Sequence, residues 1–263
     1  MSPEDFERIK AWFRSHVASY MDMDPDGLKN IRLKEEHTYR VLDATIAIAS
    51  GENLSEEQSI TAAAVAILHD AGRFPQYRKW RTFRDSESDN HARLAVDLIR
   101  VQGVLEHLEK PEQLLIEEAI RFHNLLALPD RHDSGTDLFI RLIRDADKLD
   151  IWRVFLEYFR QPEEERASAA SLGFPDLPGV TGACVSSIQR GEIVRLEDCR
   201  KLNDFRLLQI SWVYDLNFRT TYRLLRERGY IRELASALPD DNILSCAIEN
   251  AITHISVMAD RAR

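Results

Sequence analysis

The sequence predicts an all-α protein, and three observations support this prediction. Apolar residues recur every three or four positions over long stretches, which is the spacing of one buried helix face. The chain of 263 residues contains only 10 glycines and 9 prolines, so it offers few of the turns that many short strands would need. Several of the periodic stretches also start with residues that cap helix N-termini, or end at a glycine.

The first half of the chain divides into helical segments with recognisable ends. Ser2–Pro3, followed by two acids, starts the first helix, and residues 22–27 ("DMDPDG") are expected to form a turn. A second helix is predicted over 30–50, because Gly51 follows it. Further helices are predicted over 54–70, 86–103, 110–124 and 136–159, with a loop over 126–135.

The composition changes near residue 161. Small residues, glycine and proline dominate 167–194, which predicts a long loop with at most a short turn of helix. Helical spacing returns over 204–230 and again over 240–263. We therefore expect a core formed by residues 1–160 and a helical C-terminal extension, 161–263, that packs on the core as one compact unit.

Charge and composition exclude several classes of protein. The formal net charge of −9 argues against a non-specific nucleic-acid binder and against binding to anionic membranes. The N-terminus lacks the basic start and apolar run of a secretion signal, and no segment approaches 18 consecutive apolar residues. Three cysteines without paired spacing favour a reducing compartment. These features predict a cytoplasmic protein.

Residues that can bind metals fall on faces that five of the predicted helices would bury. Asp147, for example, lies between Ile143 and Ile151 in an apolar stripe. Burying a carboxylate there is costly unless it is paired or coordinates a cation. Any single histidine could be a hydrogen-bonded core residue, but six such groups together favour one shared site. They are His37, His69, Asp70, His91, His123 and Asp147.

The stretch "AVAILHDAGRFPQ", residues 64–76, contains two of these groups side by side. Adjacent residues on a helix project about 100° apart, so His69 and Asp70 can reach one ion only near the end of their helix. Ser55 and Gln58 form a capping box that fixes the start of that helix. Imidazole and carboxylate ligands without thiolate suit Fe, Mn, Zn, Ni or Co rather than a structural zinc cage, and Mg is a further candidate.

Three short stretches carry a histidine, a His-Asp doublet and a distant aspartate in that order. They are "EEHTYRV" with His37, "AILHDAGRF" with His69 and Asp70, and "IRDADKLD" with Asp147. In this pattern the sequence resembles the HD superfamily of metal-dependent phosphohydrolases over residues 29–159. The resemblance implies an HD-domain helical bundle with additional C-terminal helices. It also implies hydrolysis of a small-molecule phosphoester, such as a nucleotide, by metal-activated water, with the four residues holding the metal.

The number of ions depends on two further histidines. His91 and His123 match the positions that hold a second metal in part of the family, where Asp70 would bridge the two ions. Alternatively, both histidines contact substrate phosphate in a one-metal enzyme. The resemblance therefore implies a cofactor of one or two divalent ions.

The resemblance also suggests residues for catalysis and substrate binding. Asp70 or Asp147 would orient the attacking water, and Arg73 would stabilise charge on the phosphoryl oxygens. Two-metal relatives carry lysine where this chain has Arg73, so a mechanism that needs a neutral lysine is disfavoured. Lys148 is a second candidate for binding substrate. Asp150 is expected to support the site or lie on the helix surface rather than bind metal.

Two other functions remain open at this stage. A few HD-like proteins use a similar set of ligands to hold two irons and to oxidise a carbon with dioxygen. A non-catalytic regulatory HD protein is the third possibility, and the complete ligand set argues against it. The sequence leaves the substrate and the oligomeric state open.

Overall fold

The computed structural model describes residues 1–126, 128, 134–170 and 173–261, and every regular element within these ranges is helical. The predicted all-α class is therefore confirmed. Most of the loop predicted over 126–135 lies outside the described residues, as do the last two residues of the final predicted helix. Among the described helices, none combines the length and apolar character needed to cross a membrane.

Twelve α-helices account for the long elements of the described ranges. They are α1 (Pro3–Ala18), α2 (Pro25–Gly51), α3 (Glu56–Leu68), α4 (Arg73–Trp80), α5 (His91–Val101), α6 (Lys110–Phe122), α7 (Ser134–Arg160), α8 (Gly182–Gln189), α9 (Leu202–Ser211), α10 (Arg219–Arg228), α11 (Tyr230–Ser236) and α12 (Asn242–Asp260). Short 3-10 turns cover Asp85–Glu87, Glu163–Glu165, Ser168–Ala170, Leu196–Asp198 and Trp212–Asp215.

The starts of α2 and α5 differ from the predictions, and both differences have a capping cause. Asp24 caps α2 by accepting a hydrogen bond from the Gly27 N–H at 2.8 Å. The predicted turn over 22–27 therefore contributes its last three residues to the helix. Asn90 caps α5 in the same way, accepting from the Arg93 N–H at 2.9 Å, so α5 begins five residues later than predicted.

Three helices were missed, and one predicted helix is broken. Helices α4 and α11 were not predicted from the sequence, and α8 has eight residues in the segment 167–194, where a long loop with a short turn of helix was expected. The predicted helix over 204–230 is interrupted after Ser211 by a 3-10 turn. The buried Tyr222 hydroxyl lies 3.0 Å from the Val213 carbonyl and 3.1 Å from the Leu216 carbonyl, so it stabilises the break by satisfying carbonyls that a continuous helix would have paired.

The chain separates into two compact units. Unit one comprises Met1–Ile151 with Gln161–Ala170, and unit two comprises Trp152–Arg160 with Ser171–Arg263. This grouping differs from the predicted division after residue 160, because residues 161–170 return to α2. There the Ala169 N–H donates to the Asn30 side chain at 3.0 Å.

Unit one is built around α3. This helix packs against α1, α2 and α6, and all of its residues from Thr61 to Leu68 are buried. A helix buried on every face needs the nearly all-apolar sequence "TAAAVAIL" that it has. The C-terminal end of α3 is therefore held inside unit one, and the His-Asp doublet follows directly.

Candidate metal centre

The six predicted side chains come together in unit one, and each is delivered by a helix or by a helix end. His37 lies in the middle of α2, and Asp147 lies on α7. His69 and Asp70 follow the last residue of α3, His91 is the first residue of α5, and His123 follows α6. Their nitrogen and oxygen atoms form three overlapping groups in which all atoms lie within 4.8 Å of one another. These groups are His37–His69–Asp70, His69–His123–Asp147 and Asp70–His91–His123.

Asp70 lies between two sets of partners. Its Oδ2 lies 3.6 Å from His37 Nε2 and 3.8 Å from His69 Nε2. Its Oδ1 lies 3.5 Å from His91 Nε2. We call His37, His69 and Asp147 the first half of the centre, and His91 and His123 the second half. Asp70 lies between the two halves.

Asp147 completes the first half. Its Oδ1 lies 3.1 Å from His37 Nε2 and 3.9 Å from His69 Nε2. Both imidazole nitrogens are buried, and in the described ranges neither has a neighbour placed with good hydrogen-bond geometry. Two buried nitrogens without a hydrogen-bond partner, facing carboxylate oxygens, fit a divalent cation as the missing partner.

In the second half two nitrogens face each other. His91 Nε2 lies 3.1 Å from His123 Nε2, and both rings are buried. Two neutral imidazole lone pairs at this distance repel each other unless a proton or a cation lies with them. The arrangement therefore also fits a metal ion.

The outer nitrogen of each of the four histidines has a hydrogen-bond acceptor. His37 Nδ1 lies 2.7 Å from Asp150 Oδ2, and His91 Nδ1 lies 2.7 Å from Asp85 Oδ2. The other two rings use the carbonyl three residues earlier in their own helices, at 2.7 Å for His69 and 2.6 Å for His123. A proton on Nδ1 leaves the Nε2 lone pair directed into the centre, which is how protein imidazoles bind metals.

Burial keeps the second half neutral. Burial, and then the charge of Arg73, lower the pKa of His91 to about 4. Burial, and then His69, lower the pKa of His123 to about 4. Both rings are therefore neutral at pH 7, which is the form that binds a metal.

The first half contains a histidine with the opposite shift. Burial and the charge of Lys34 would lower the pKa of His37, but the carboxylates of Asp147 and Asp150 raise it to about 9. In the absence of a cation, His37 therefore holds a second proton at neutral pH, in addition to the one on Nδ1. A metal would take the place of that proton.

Lys34 is a residue of the site that the sequence analysis missed. Its Nζ donates to Asp70 Oδ2 at 2.8 Å. Burial would raise the pKa of Asp70, but the charges of Lys34, and then of His69 and Arg73, hold it well below its usual range. Lys34 precedes His37 by three residues and so shares its helix face, a spacing that could have identified it.

Arg73 lies beside Asp70, but most of its N–H groups donate hydrogen bonds to other residues of the protein. Nε donates to Asp70 Oδ1 at 3.3 Å, and Nη1 donates to the Phe83 carbonyl at 2.6 Å and to Asp85 Oδ1 at 3.0 Å. Arg73 therefore ties the doublet to the segment that follows α4. Lys148, the other predicted substrate residue, follows Asp147 on α7 and is 9% exposed.

Comparison with known proteins gives one match. A family model described as HD domain matches residues 35–152, a segment that includes all six predicted side chains. A search of the curated proteins and a search of the solved structures each gave no significant match. The family match and the cluster of buried histidines and aspartates are compatible with binding of a divalent metal.

Proposed function

We propose that this protein is a metal-dependent phosphohydrolase that hydrolyses a small phosphoester, such as a nucleotide, and the match of residues 35–152 to a model of the HD domain supports this proposal. The match to the HD domain supports a general hydrolase character. The reaction, the substrate and the roles of individual residues are our proposal. One observation carries it: four imidazole Nε2 atoms converge on the two oxygens of Asp70, and each ring has its Nδ1 hydrogen-bonded on the outside.

We propose two ions rather than one. His37, His69, Asp70 and Asp147 would hold the first, and Asp70, His91 and His123 would hold the second. The support is the position of Asp70, whose two oxygens face different histidines, and the facing Nε2 atoms of His91 and His123. A bound divalent cation lowers the pKa of water and withdraws charge from a phosphoryl oxygen.

The chain's own residues would orient the reactants. Asp147 has a pKa well below its usual range, because its contact with His37 outweighs the effect of burial. A carboxylate this acidic is suited to orienting a water molecule by a hydrogen bond rather than to keeping its proton. Lys34 and Arg73 lie on either side of Asp70 and would supply positive charge to the phosphoryl oxygens, with Lys148 as a third candidate.

The first test is metal content together with hydrolysis. Wild-type protein purified without added metal or chelator is analysed for metals beside Asp70→Ala and His91→Ala, and all three are assayed on a panel of phosphoesters with Mn²⁺ or Co²⁺. The proposal predicts about two ions in wild type, about one in His91→Ala and almost none in Asp70→Ala. Hydrolysis should be lost with Asp70→Ala. His107→Ala, at a histidine that lies near Asp5 and outside the centre, is the matched control.

Other results would redirect the proposal. One ion in both wild type and His91→Ala would reassign His91 to substrate binding. Iron at both positions, with dioxygen consumption and no hydrolysis, would favour the di-iron oxygenase that uses the same ligand set. No metal after reloading would contradict the catalytic proposal and favour a regulatory role.

A further inference from the structure

Asp85 is a half-buried carboxylate that joins several side chains beside the second half of the centre. It lies in the 3-10 turn between α4 and α5, a segment in which no functional residue was predicted. Its Oδ1 accepts from Arg73 Nη1 at 3.0 Å and from Gln76 Nε2 at 2.9 Å. Its Oδ2 accepts from His91 Nδ1 at 2.7 Å and from Asn124 Nδ2 at 3.2 Å.

These contacts make Asp85 the only carboxylate on His91 Nδ1 among the residues that the structure describes. A carboxylate acceptor fixes the proton of His91 on Nδ1 and turns Nε2 toward Asp70 and His123. Asn124 directly follows His123 in the chain, so Asp85 contacts one histidine of the second half and the neighbour of the other. Asp85 also pairs with Arg73, whose guanidinium lies beside Asp70.

The first half has an equivalent of this arrangement. Asp150 Oδ2 accepts from His37 Nδ1 at the same 2.7 Å. The other histidine of each half uses a backbone carbonyl instead. Each half therefore contains one histidine oriented by a carboxylate that mutation can remove.

We propose that Asp85 is the positioning residue of the second half of the metal centre, and that Asp150 has the same part in the first half. The inference rests on the proposed two-ion function and deepens it, because it assigns control of each ion to a different carboxylate. It follows that the two half-sites can be weakened separately.

The test is a titration of metal-free protein with Mn²⁺ in which calorimetry measures the affinity for each ion. Asp85→Asn keeps one accepting oxygen but replaces the other with an NH₂ group that cannot accept, so the amide cannot serve all four donors. Loss of such a partner weakens metal affinity by about 10- to 100-fold. We expect this loss for one of the two ions in Asp85→Asn, with the other ion unchanged within about threefold.

Electron paramagnetic resonance shows whether one or both halves are filled, because two nearby Mn²⁺ ions give a spin-coupled spectrum and one isolated ion does not, and double variants then identify the half that is affected. At an Mn²⁺ concentration that fills both sites of wild type, Asp85→Asn should show mainly the isolated-ion spectrum. Adding His91→Ala to Asp85→Asn should weaken binding little further, because both changes act on the same half. Adding His91→Ala to Asp150→Asn should weaken both ions.

Two controls separate positioning from simple damage to the fold. Asp89→Asn changes a carboxylate in the same segment as Asp85 and with the same side-chain exposure of 30%. Asp89 pairs with Arg93 and not with His91. Gln76→Leu removes hydrogen bonds to Asp85, Ser88 and the Asp89 carbonyl and the one that Gln76 Oε1 accepts from Arg73, and it leaves Asp85 on His91. Both controls should bind two ions with wild-type affinity within about threefold. Circular dichroism of each variant should match wild type.

The outcomes distinguish the inference from the function on which it rests. If wild type binds two ions and Asp85→Asn binds both as tightly, the positioning role is wrong and the proposed function stands. If Gln76→Leu weakens the same ion as strongly as Asp85→Asn, the segment and not the carboxylate orients His91, which also overturns the inference. If wild type binds no ion, the proposed function itself fails.

Discussion

Lys34 and a metal ion would compete for the same oxygen of Asp70. The Lys34 ammonium lies 2.8 Å from Oδ2, with side-chain exposures of 15% for Lys34 and 3% for Asp70. A pair this buried interacts more strongly than a surface ion pair. Lys34 therefore offsets the charge of Asp70 when no cation is bound, and its ammonium would oppose the binding of a cation at the same oxygen.

We predict opposite effects of Lys34→Met on binding and on catalysis. Removing the competing ammonium should tighten Mn²⁺ binding about tenfold, which corresponds to about 1.4 kcal/mol, as measured by calorimetry. Hydrolysis of a phosphoester should fall, because a positive charge near the substrate is lost. Lys29→Met, at an exposed position on the same helix, is the control. Weaker metal binding in Lys34→Met would contradict this prediction.

Arg73 should matter for stability as well as for activity. A lysine in its place keeps the charge, but it cannot donate at once to Asp70, Phe83 and Asp85 as the guanidinium does. We expect Arg73→Lys to lower the free energy of unfolding by about 2 kcal/mol and to reduce kcat/KM, measured by thermal unfolding and by steady-state assays. Arg78→Lys, at a surface residue of the same helix that pairs with Asp22, should change neither. Unchanged stability in Arg73→Lys would show that its hydrogen bonds add nothing to the fold.

The six residues of the cluster could be predicted from the sequence, but the residues that hold them in place could not. Six polar residues in apolar stripes are a signal that periodicity reveals, and the structure brings all six together. Asp85 could not be found in this way, because it lies in an irregular segment with no period to follow. The contacts of Arg73 were missed for a related reason, since they depend on where the segment after α4 turns back.

At the scale of the element, Asp204 holds the start of α9. Its carboxylate accepts from the Thr181 N–H at 2.6 Å and hydroxyl at 2.7 Å, and from the Arg200 and Lys201 N–H groups at 2.9 and 3.0 Å. Burial would raise the pKa of Asp204, but the hydrogen bonds from Thr181, and then those from the backbone of Arg200 and Lys201, lower it. The ionised form is therefore the one that stabilises unit two.

We predict that this stabilisation depends on pH. A carboxyl group whose pKa is lower in the folded state stabilises the fold above its unfolded pKa of about 4, and the effect is lost as pH falls through the folded pKa. Asp204→Asn should lower the free energy of unfolding by about 1–2 kcal/mol at pH 7, and the difference from wild type should shrink below pH 4. Thermal unfolding between pH 7 and pH 2.5 measures this. A difference that stays constant over the range would exclude a contribution from ionisation.

Long helices were predictable and short ones were not. Helices α1, α3, α6 and α12 contain enough turns for apolar spacing to stand out; the starts of α1, α3 and α12 carry capping side chains, and α6 starts with a proline in its first turn. Helix α4 has eight residues, including a proline, and a polar sequence, so it offers no such pattern. The break after α9 depends on the buried Tyr222 hydroxyl, a tertiary contact that helical spacing does not reveal.

At the scale of the whole molecule, a ligand of the centre should stabilise one unit more than the other. All six residues of the centre belong to unit one. A ligand at a free concentration of 100 times its dissociation constant stabilises the native state by about 2.7 kcal/mol. We therefore expect Mn²⁺ to slow amide hydrogen exchange in α2, α3 and α5–α7, with much smaller changes in α9–α12.

Hydrogen exchange followed by mass spectrometry checks this prediction. Asp70→Ala should show no response to Mn²⁺, which controls for non-specific effects of the cation. An equal response in α9–α12 would mean that the stability of unit two depends on the centre as strongly as that of unit one does.

The positions of His69 and His123 place a limit on how the chain can change in length. Each histidine follows the last residue of a helix and is held by the carbonyl three residues before it, in α3 and in α6. Deleting one residue within either helix would rotate everything beyond it by about 100° and turn the imidazole away from Asp70. Helices α3 and α6 must therefore keep their length to the residue.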